Sequence, residues 1–416
     1  MIRFIHTADI HFGMENYGRI DSKTGIHSRL LDFERALNFC VQYAIEKKVD
    51  FFLFAGDAYK TANPTPTHQR LFTKCLLELY KADIPIVMVV GNHDNPLSFG
   101  KAHALEIFGQ IPLNGFHIIS KPKIIVLDTK NGPVQIVGIP WPTRNSISLN
   151  NENFSLDQCE ITQYISKAVT KIIQDLAAKL DPDLPAVLTG HLTVSTGIFS
   201  GSEKRAVYGT DPIFLPSQLG IKPFDYVALG HLHRFQNLNP DNRPPIVYSG
   251  SIERIDFGER KEEKGFCLVT ISNKYKTTLE FIETPTRPFI QIEVFLNNMD
   301  NQTEQIIEKV ATYNIKNCIL KILYNLPTDK KDRVDLNAVQ QACSSAWYIV
   351  GIIPRRIFTA RERRLSLKIN MDLNKLLEAY FSNKTELKAN KDNLIKKALL
   401  LESELNNNDS NNQLET

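Results

Sequence analysis

The sequence lacks the features that mark a membrane-spanning, disulfide-bonded or strongly basic protein. No apolar run reaches the roughly 18 residues that a bilayer span requires, and residues 1–4 enter a strand pattern directly instead of a leader peptide. The six cysteines are scattered without a C-x-x-C pair, which predicts reduced core residues. The net charge is only +3, so nucleic-acid binding would require local basic patches. We therefore expect a cytoplasmic protein that does not bind membranes.

The sequence also lacks an internal repeat and the GxxxxGK[ST] loop of nucleotide-binding proteins, so any dependence on ATP has to come from another protein. At 416 residues the chain is long enough for two or three domains. Residues 2–90 show strand and helix patterns in the order strand, helix, strand, helix, strand. This order predicts an α/β fold with parallel neighbouring strands.

Polar residues follow the predicted strands at the points where those strands end. In the stretch 86–94, an apolar strand pattern stops at Gly91 and is followed by Asn92, His93 and Asp94. Because ligands bind beyond the carboxyl ends of strands in open α/β sheets, we expect the strand-end residues to share one crevice. The other strand ends supply Asp9 and His11, Asp57, His191, and His231 and His233.

These residue types indicate a metal site. Carboxylate and amide oxygens together with imidazole nitrogens suit a borderline to hard divalent ion, manganese more than magnesium, with zinc or iron as further options. Without His93, seven candidates remain, which suffice for two ions sharing one carboxylate and predict phosphoester hydrolysis. Taken singly, each could instead be a turn residue or a satisfied histidine. We adopt that interpretation for the histidines without a strand-end position: His6, His27, His68, His103 and His117.

The order of these motifs resembles a known family. The series D-x-H at 9–11, G-D at 56–57, G-N-H-D at 91–94, G-H at 190–191 and G-H-x-H at 230–233 is similar to that of the calcineurin-like metallophosphoesterases. Segments at 200–205, 225–234 and 248–259 resemble the bacterial DNA double-strand-break repair nucleases of that family. The resemblance covers residues 1–290 strongly and the rest by layout only. It implies a metallophosphoesterase sandwich with a smaller α/β capping domain and C-terminal helices.

The resemblance also implies a role for each site residue. His93 would be the catalytic residue, which faces the scissile phosphate and orients it or protonates the leaving oxygen. Asp94 is expected to fix the turn, and Lys60, where relatives usually have an acid or a histidine, suggests an altered balance of exonuclease and endonuclease activity. Two Mn²⁺ ions, or Mg²⁺ or another divalent ion, would be held by Asp9, His11, Asp57 and His233, and by Asp57, Asn92, His191 and His231, with Asp57 bridging.

The chain is predicted to contain five segments. They are a metallophosphoesterase (nuclease) domain at 1–286, an α/β capping domain at 287–356, a basic linker at 357–368, a helical partner-binding segment at 369–405 and a disordered tail at 406–416. Plainer interpretations exist for the later segments. The capping domain could serve only stability, the arginines of 355–364 could be a solvated face, and the helices could pack on their own domain.

The site residues predict a two-metal phosphoesterase, and the resemblance implies a metal-dependent DNA exonuclease and endonuclease that acts with an ATPase partner on double-strand breaks and hairpins. The resemblance implies three partners: DNA, a coiled-coil ATPase subunit held by the C-terminal helices, and a second copy of the chain in a homodimer within a heterotetramer. One rival function is hydrolysis of small phosphodiesters or phosphoproteins, but the chain lacks the R-G expected after the second motif of phosphoprotein phosphatases. The other rival function is that of a non-catalytic DNA-binding scaffold with a decayed site. Every expected ligand is present, which argues against this alternative.

Overall fold

The computed structural model describes residues 1–96, 100–110, 114–143, 157–201, 211–240, 243–357, 372–382 and 390–412. The chain falls into two compact units. The larger unit contains residues 1–324 and 334–353, and the smaller contains residues 325–333 and the chain from 354 onward. Among the helices in the described ranges, none is both long enough and apolar enough to cross a bilayer.

Strands and helices alternate up to residue 119, and strands predominate in most of the described chain that follows. The strands are β1 Ile2–Thr7, β2 Phe51–Phe54, β3 Ile86–Val89, β4 Phe116–Ile119, β5 Lys123–Thr129, β6 Gly132–Ile139, β7 Ala186–His191, β8 Thr193–Val194, β9 Ile213–Phe214, β10 Tyr226–Gly230, β11 Gln236–Asn237, β12 Ile246–Tyr248, β13 Gly265–Asn273, β14 Lys276–Glu283, β15 Phe289–Phe295, β16 Ile319–Pro327 and β17 Tyr348–Ile357. The helices are α1 Ser28–Glu46, α2 Pro66–Lys81, α3 Glu106–Gln110, α4 Gln158–Ala177, α5 Pro216–Leu219, α6 Gln302–Ala311, α7 Leu336–Ala342, α8 Leu373–Ser382 and α9 Lys391–Asn412. A 3-10 turn covers Phe257–Glu259.

Two six-stranded sheets form the body of the larger unit. The first has the order β14-β13-β1-β2-β3-β4, in which β1 to β4 are parallel and β13 joins β1 in the antiparallel direction. The second has the order β11-β12-β10-β7-β6-β5, in which β12, β10, β7 and β6 are parallel. The predicted α/β fold with parallel neighbouring strands is therefore confirmed.

Successive side chains of the central strands β2 and β3 point to opposite faces of the first sheet, and both faces are buried there. Phe51 and Leu53 of β2 contribute to the core between the two sheets, whereas Phe52 and Phe54 join the core that includes side chains of α1 and α2. The second sheet is covered on its outer face by α4, whose Ile165 belongs to a third apolar cluster. The result is a four-layered sandwich in the order helix, sheet, sheet, helix.

The region after residue 286 contributes a small sheet in the order β15-β16-β17, with α6 and α7 between its strands in sequence. Part of this region packs tightly within the larger unit. Phe289 forms an apolar cluster with Phe257 and Ile319, and Arg287 pairs with the buried carboxylate of Asp32 at 2.9 Å. These contacts explain why the larger unit continues past residue 287, where the sequence predicts a domain boundary.

The smaller unit contains the two predicted C-terminal helices, α8 and α9. Helix α9 continues to Asn412, beyond residue 405, where the sequence predicts the helix to end and a disordered tail to begin. The physical reason is that each residue added to an existing helix gains a backbone hydrogen bond, so a polar end can stay helical. The predicted basic linker from 358 onward, most of the arginines of 355–364 and the end of the tail from 413 lie outside the described residues.

All six cysteines are free, and five of them are buried, as expected for core residues. Burial raises the pKa of the Cys75 thiol to about 12, which keeps this side chain protonated and unreactive. Cys159 is the exception. It lies exposed in the first turn of α4, so the prediction of a core position is wrong for this residue.

Candidate metal centre

The seven predicted ligand residues come from the carboxyl ends of strands in both sheets, and the structure brings them together. Asp9 and His11 follow β1, Asp57 follows β2, and Asn92 follows β3. His191 ends β7, while His231 and His233 follow β10. Backbone hydrogen bonds join the first two loops, because Asp9 N donates to Gly56 O at 3.0 Å and His11 N donates to Asp57 O at 3.0 Å.

Four of these residues adopt backbone conformations that non-glycine residues rarely take. The φ angles are 53° at Asp9, 49° at His11, 58° at Asp57 and 106° at His231. Such conformations persist only where the surrounding structure imposes them, and they concentrate at functional sites. The turn after β3 is equally constrained, because a Cβ atom at Gly91 would lie 2.1 Å from Asp57 Oδ1. The loops are thus shaped to aim these side chains at one point.

One group of ligand atoms lies around His11 and His233. The Nε2 atoms of these two rings are 3.0 Å apart, and His11 Nε2 is 3.6 Å from Asp57 Oδ2. Candidate ligand atoms of Asp9, His11 and His233 all lie within 4.8 Å of one another. All three residues are buried.

A second group lies on the other side of the Asp57 carboxylate. His191 Nε2 is 2.9 Å from Asn92 Oδ1 and 3.3 Å from Asp57 Oδ2. His231 Nδ1 is 3.3 Å from the same Asn92 oxygen. The two groups therefore meet at Asp57 Oδ2, which is the arrangement expected of a bridging carboxylate.

The second ring nitrogens of three histidines are occupied by acceptors. His191 Nδ1 donates to Ala55 O at 2.9 Å, His231 Nε2 to Asp211 Oδ2 at 3.2 Å, and His233 Nδ1 to Glu259 Oε1 at 2.9 Å. A neutral imidazole that donates from one nitrogen presents a lone pair on the other. In the neutral form of each ring, the nitrogen that faces the carboxylate, amide or imidazole atoms can therefore bind a divalent cation.

The charges of the centre also favour a cation. Burial raises the pKa of Asp9 to about 7, against the opposing attraction of His191 and His233. Burial alone would lower the pKa of His191, but the charge of Asp57 raises it to about 9. The same attraction, acting against burial, holds the pKa of Asp57 well below its usual range. Without a metal ion, a proton on His191 therefore balances part of the negative charge of the buried carboxylates. A bound cation would replace that proton.

His93 is placed differently from its neighbour Asn92. Its ring is exposed, its Nδ1 donates to Lys60 O at 2.8 Å, and its ring centre lies 4.7 Å from that of His11. His93, His11 and Asp57 also offer ligand atoms within 4.8 Å of one another, so a ligand role is geometrically open as well. The contact from position 60 is made by the backbone carbonyl, so orientation of the His93 ring does not depend on the Lys60 side chain.

Asp94 is buried and holds the turn to the neighbouring loop. Its carboxylate accepts hydrogen bonds from the backbone N–H groups of Gly91, Ala58 and Tyr59, at 3.1, 3.3 and 3.1 Å. This arrangement corresponds to the expected turn-fixing role, and it also ties the loop of Asn92 and His93 to the loop of Asp57.

Three residues around the centre have no role in the sequence prediction. Asp211 and Glu259 accept from ligand-type histidines, and the Trp141 ring lies 4.9 Å from that of His231. Glu259 falls within a segment that carries the family resemblance, which could have pointed to it. Asp211 and Trp141 show no pattern in the sequence, since they reach the centre only through the fold.

Comparison with known proteins gives a consistent result. A sequence model of the family described as "Calcineurin-like phosphoesterase" matches residues 2–235. The D subunit of the nuclease SbcCD from Escherichia coli K12 is 29% identical over 314 residues, which cover 73% of this chain and 74% of that protein, and the protein of the same name from E. coli O157:H7 gives the same values. Among solved structures, TT1561 of Thermus thermophilus aligns at 12% identity with a TM-score of 0.39 over 67% of this chain and 98% of that one. A dimetal phosphatase from Danio rerio aligns at 9% identity with a TM-score of 0.36, over 68% of this chain and 96% of that one.

Proposed function

Since this chain belongs to the calcineurin-like phosphoesterase family, we propose that it is a metal-dependent DNA nuclease with exonuclease and endonuclease activity. Family membership makes it a phosphoester hydrolase that uses divalent metal. The observation that carries the proposal is the convergence of two groups of ligand atoms on the Asp57 carboxylate. DNA is chosen as the substrate because a relative aligned over 73% of the chain is named as part of a nuclease.

The proposed centre holds two ions, with manganese preferred. One ion would be bound by the group around His11 and His233, the other by the group around His191 and His231, and Asp57 would bridge them. When bound, the ions would supply Lewis acidity toward the phosphoryl oxygens and would lower the pKa of water at neutral pH. The protein contributes the geometry, because the hydrogen bonds behind the histidines fix which nitrogen of each ring faces inward.

His93 is the proposed catalytic side chain. Its Nδ1 is held by Lys60 O, so its Nε2 is the atom that would donate to a phosphate oxygen or to the leaving oxygen. Its backbone N–H donates to Asp57 Oδ1 at 2.9 Å, which fixes the imidazole relative to the proposed bridge. An exposed imidazole at the entrance of a buried, polar site can reach substrate without displacing a ligand.

The proposed partners are DNA and an SbcC-type coiled-coil ATPase subunit, with the chain forming a homodimer within a heterotetramer. Two observations support an ATPase partner: the chain has no nucleotide-binding loop, and its named relatives are subunits of a nuclease. The C-terminal helices are the proposed docking segment. Tyr380 of α8 and Leu400 and Leu401 of α9 are each more than half exposed, so both helices present apolar surface on which a partner would dock.

The proposal is tested by incubating the purified chain and Mn²⁺ with linear, hairpin and circular DNA. Cleavage of DNA is expected from the wild type and from Asp128→Asn, a control at an exposed carboxylate. Asp57→Asn should lose cleavage and His93→Ala should lose most of it. Hydrolysis of small phosphodiesters without cleavage of DNA would instead support a small-molecule phosphodiesterase, and inactivity with every metal would support a DNA-binding scaffold.

A further inference from the structure

The two histidines that follow β10 are held from behind by different carboxylates. His233 donates to Glu259, which is fully buried and forms an ion pair with Lys264 at 2.9 Å. His231 donates to Asp211, whose side chain is 9% exposed. The carboxylate that accepts from His233 is thus fully buried, whereas the carboxylate that accepts from His231 is slightly exposed to solvent.

Asp211 is brought to His231 by a small parallel pairing that follows β7. Strand β8 pairs with β9, with Thr193 opposite Ile213, and Ser195 N donates to Phe214 O at 2.9 Å. Ser166 Oγ of α4 donates to Ile213 O at 2.7 Å, which fixes the same segment from the other side. Asp211 is therefore anchored two residues before a fixed strand.

One face of the His231 ring also packs against the ring of Trp141. The Trp141 ring lies 4.9 Å from it at an interplanar angle of 34°, and Trp141 N donates to Val90 O at 2.9 Å. With one nitrogen bonded to Asp211 and one face against Trp141, the ring has a fixed orientation. Its Nδ1 then faces Asn92 Oδ1, and no proton is needed on that nitrogen because Nε2 carries it.

We propose that Asp211 is a positioning residue for the half of the centre formed by Asn92, His191 and His231. Its carboxylate holds the proton of His231 on Nε2 and thereby keeps Nδ1 available as a metal ligand. Without Asp211, the nearby amide oxygen of Asn92 favours a proton on Nδ1, which blocks that ligand position. The inference rests on the proposed two-ion centre and assigns Asp211 to one ion only.

A cavity beside Asp211 gives small anions access to the position of its carboxylate. Asp211 lines a cavity of about 390 Å³, together with Ser166, Lys167 and Gln218. The positive charge of Lys167 favours an anion there. A carboxylate removed by mutation can therefore be replaced from solution by formate or acetate, which is small enough to enter the cavity. Glu259, which is 0% exposed, offers no comparable route.

The test is calorimetric titration of Mn²⁺ into the full chain and its Asp211→Ala, Asp211→Asn and Asp175→Ala variants. Asp175 is an exposed carboxylate on α4 and serves as the matched control. The wild type and the control should bind two ions. Asp211→Ala should bind one ion with unchanged affinity and the other about 10- to 100-fold more weakly. Asp211→Asn, which keeps an acceptor oxygen, should lose less, and it replaces the alanine variant if circular dichroism shows that the latter is unfolded.

Electron paramagnetic resonance of the Mn²⁺-loaded variants provides the readout that a merely structural role would not change. At two equivalents of Mn²⁺, Asp211→Ala should show the spectrum of isolated ions in place of a coupled pair, and acetate, but not chloride at equal ionic strength, should restore the coupled spectrum. Equal weakening of both ions, or two ions bound as tightly as in wild type, would overturn the proposal. Failure of acetate to restore the pair would overturn the access route through the cavity. A wild type that binds one ion would overturn the two-ion centre and this inference with it.

Discussion

Replacing Glu259 by glutamine tests the buried support of the metal centre. The Glu259 carboxylate accepts from His233 Nδ1 at 2.9 Å through one oxygen, and from Ile255 N at 2.9 Å through the other. The second oxygen also pairs with Lys264 Nζ at 2.9 Å, and both side chains are 0% exposed. Burial alone would raise the pKa of Glu259, but the charge of Lys264 and the hydrogen bond from His233 lower it to about 2, so the group is ionised at neutral pH.

The size of the effect follows from the burial of the pair. Removing one partner of a buried ion pair destabilises a protein by about 3–5 kcal/mol. Lys264 keeps its contact with Glu262 at 3.1 Å, but that partly exposed carboxylate compensates its charge only in part. Glu262→Gln is the matched control, because Glu262 pairs with the same Lys264 at 3.1 Å but its side chain is 15% exposed. That variant should lose no more than about 1 kcal/mol.

Thermal unfolding of the metal-free variants measures both values. At roughly 2 °C per kcal/mol for a domain of this size, Glu259→Gln should lower Tm by about 6–10 °C, and Glu262→Gln by about 2 °C or less. Glu259→Gln should also weaken Mn²⁺ binding by about 10- to 100-fold, because His233 loses its ionised acceptor. Equal Tm values for the two variants, with metal binding intact, would refute the assignment of Glu259 as the buried support of His233.

Three further predictions concern the fold, the site and the partner. Burial would raise the pKa of Asp32, but the hydrogen bond from Arg287 and the charges of Arg29 and Arg287 hold it below its ordinary value of 3.8. The contribution of Asp32 to stability should therefore be nearly complete above about pH 5 and be lost as the pH falls through the lowered pKa. Asp32→Asn should flatten this acid limb in unfolding measured from pH 6 to 2. Asn92→Ala should reduce Mn²⁺ binding measured by calorimetry, whereas His93→Ala should still bind both ions. His93→Ala should lose about 100-fold or more in turnover in a cleavage assay. Loss of an ion in His93→Ala would show instead that His93 is a ligand. Deletion of residues 366–416 should abolish co-purification with an SbcC-type ATPase and preserve Mn²⁺-dependent cleavage of single-stranded DNA, and loss of cleavage would contradict this division of roles.

The sequence was sufficient to predict the sheet and the approach of the site residues, because both depend on local patterns. Apolar strands that end at Gly56, Gly91 and Gly230 deliver polar residues to one edge of a parallel arrangement, and the structure places those residues together. The separate positions of Asn92 and His93 also follow from the order of residues in one turn.

Other features depend on contacts between distant parts of the chain, which local patterns do not contain. Asp211 meets His231 only because β8 and β9 pair. The domain boundary predicted at 287 follows a change of pattern in the sequence, but the salt bridge from Arg287 to Asp32, 255 residues earlier, continues the larger unit beyond it. Exposure of Cys159, by contrast, agrees with its polar neighbours Gln158 and Glu160 in the sequence.

Anomalous diffraction from a Mn²⁺-soaked crystal is the most direct test of the two-ion centre. The proposal predicts two peaks about 3.5–4 Å apart on either side of Asp57, one beside His11 and His233 and the other beside His191 and His231. His93 should lie outside the bonding distance of either ion. A single peak, or two peaks that do not share Asp57, would contradict the central claim.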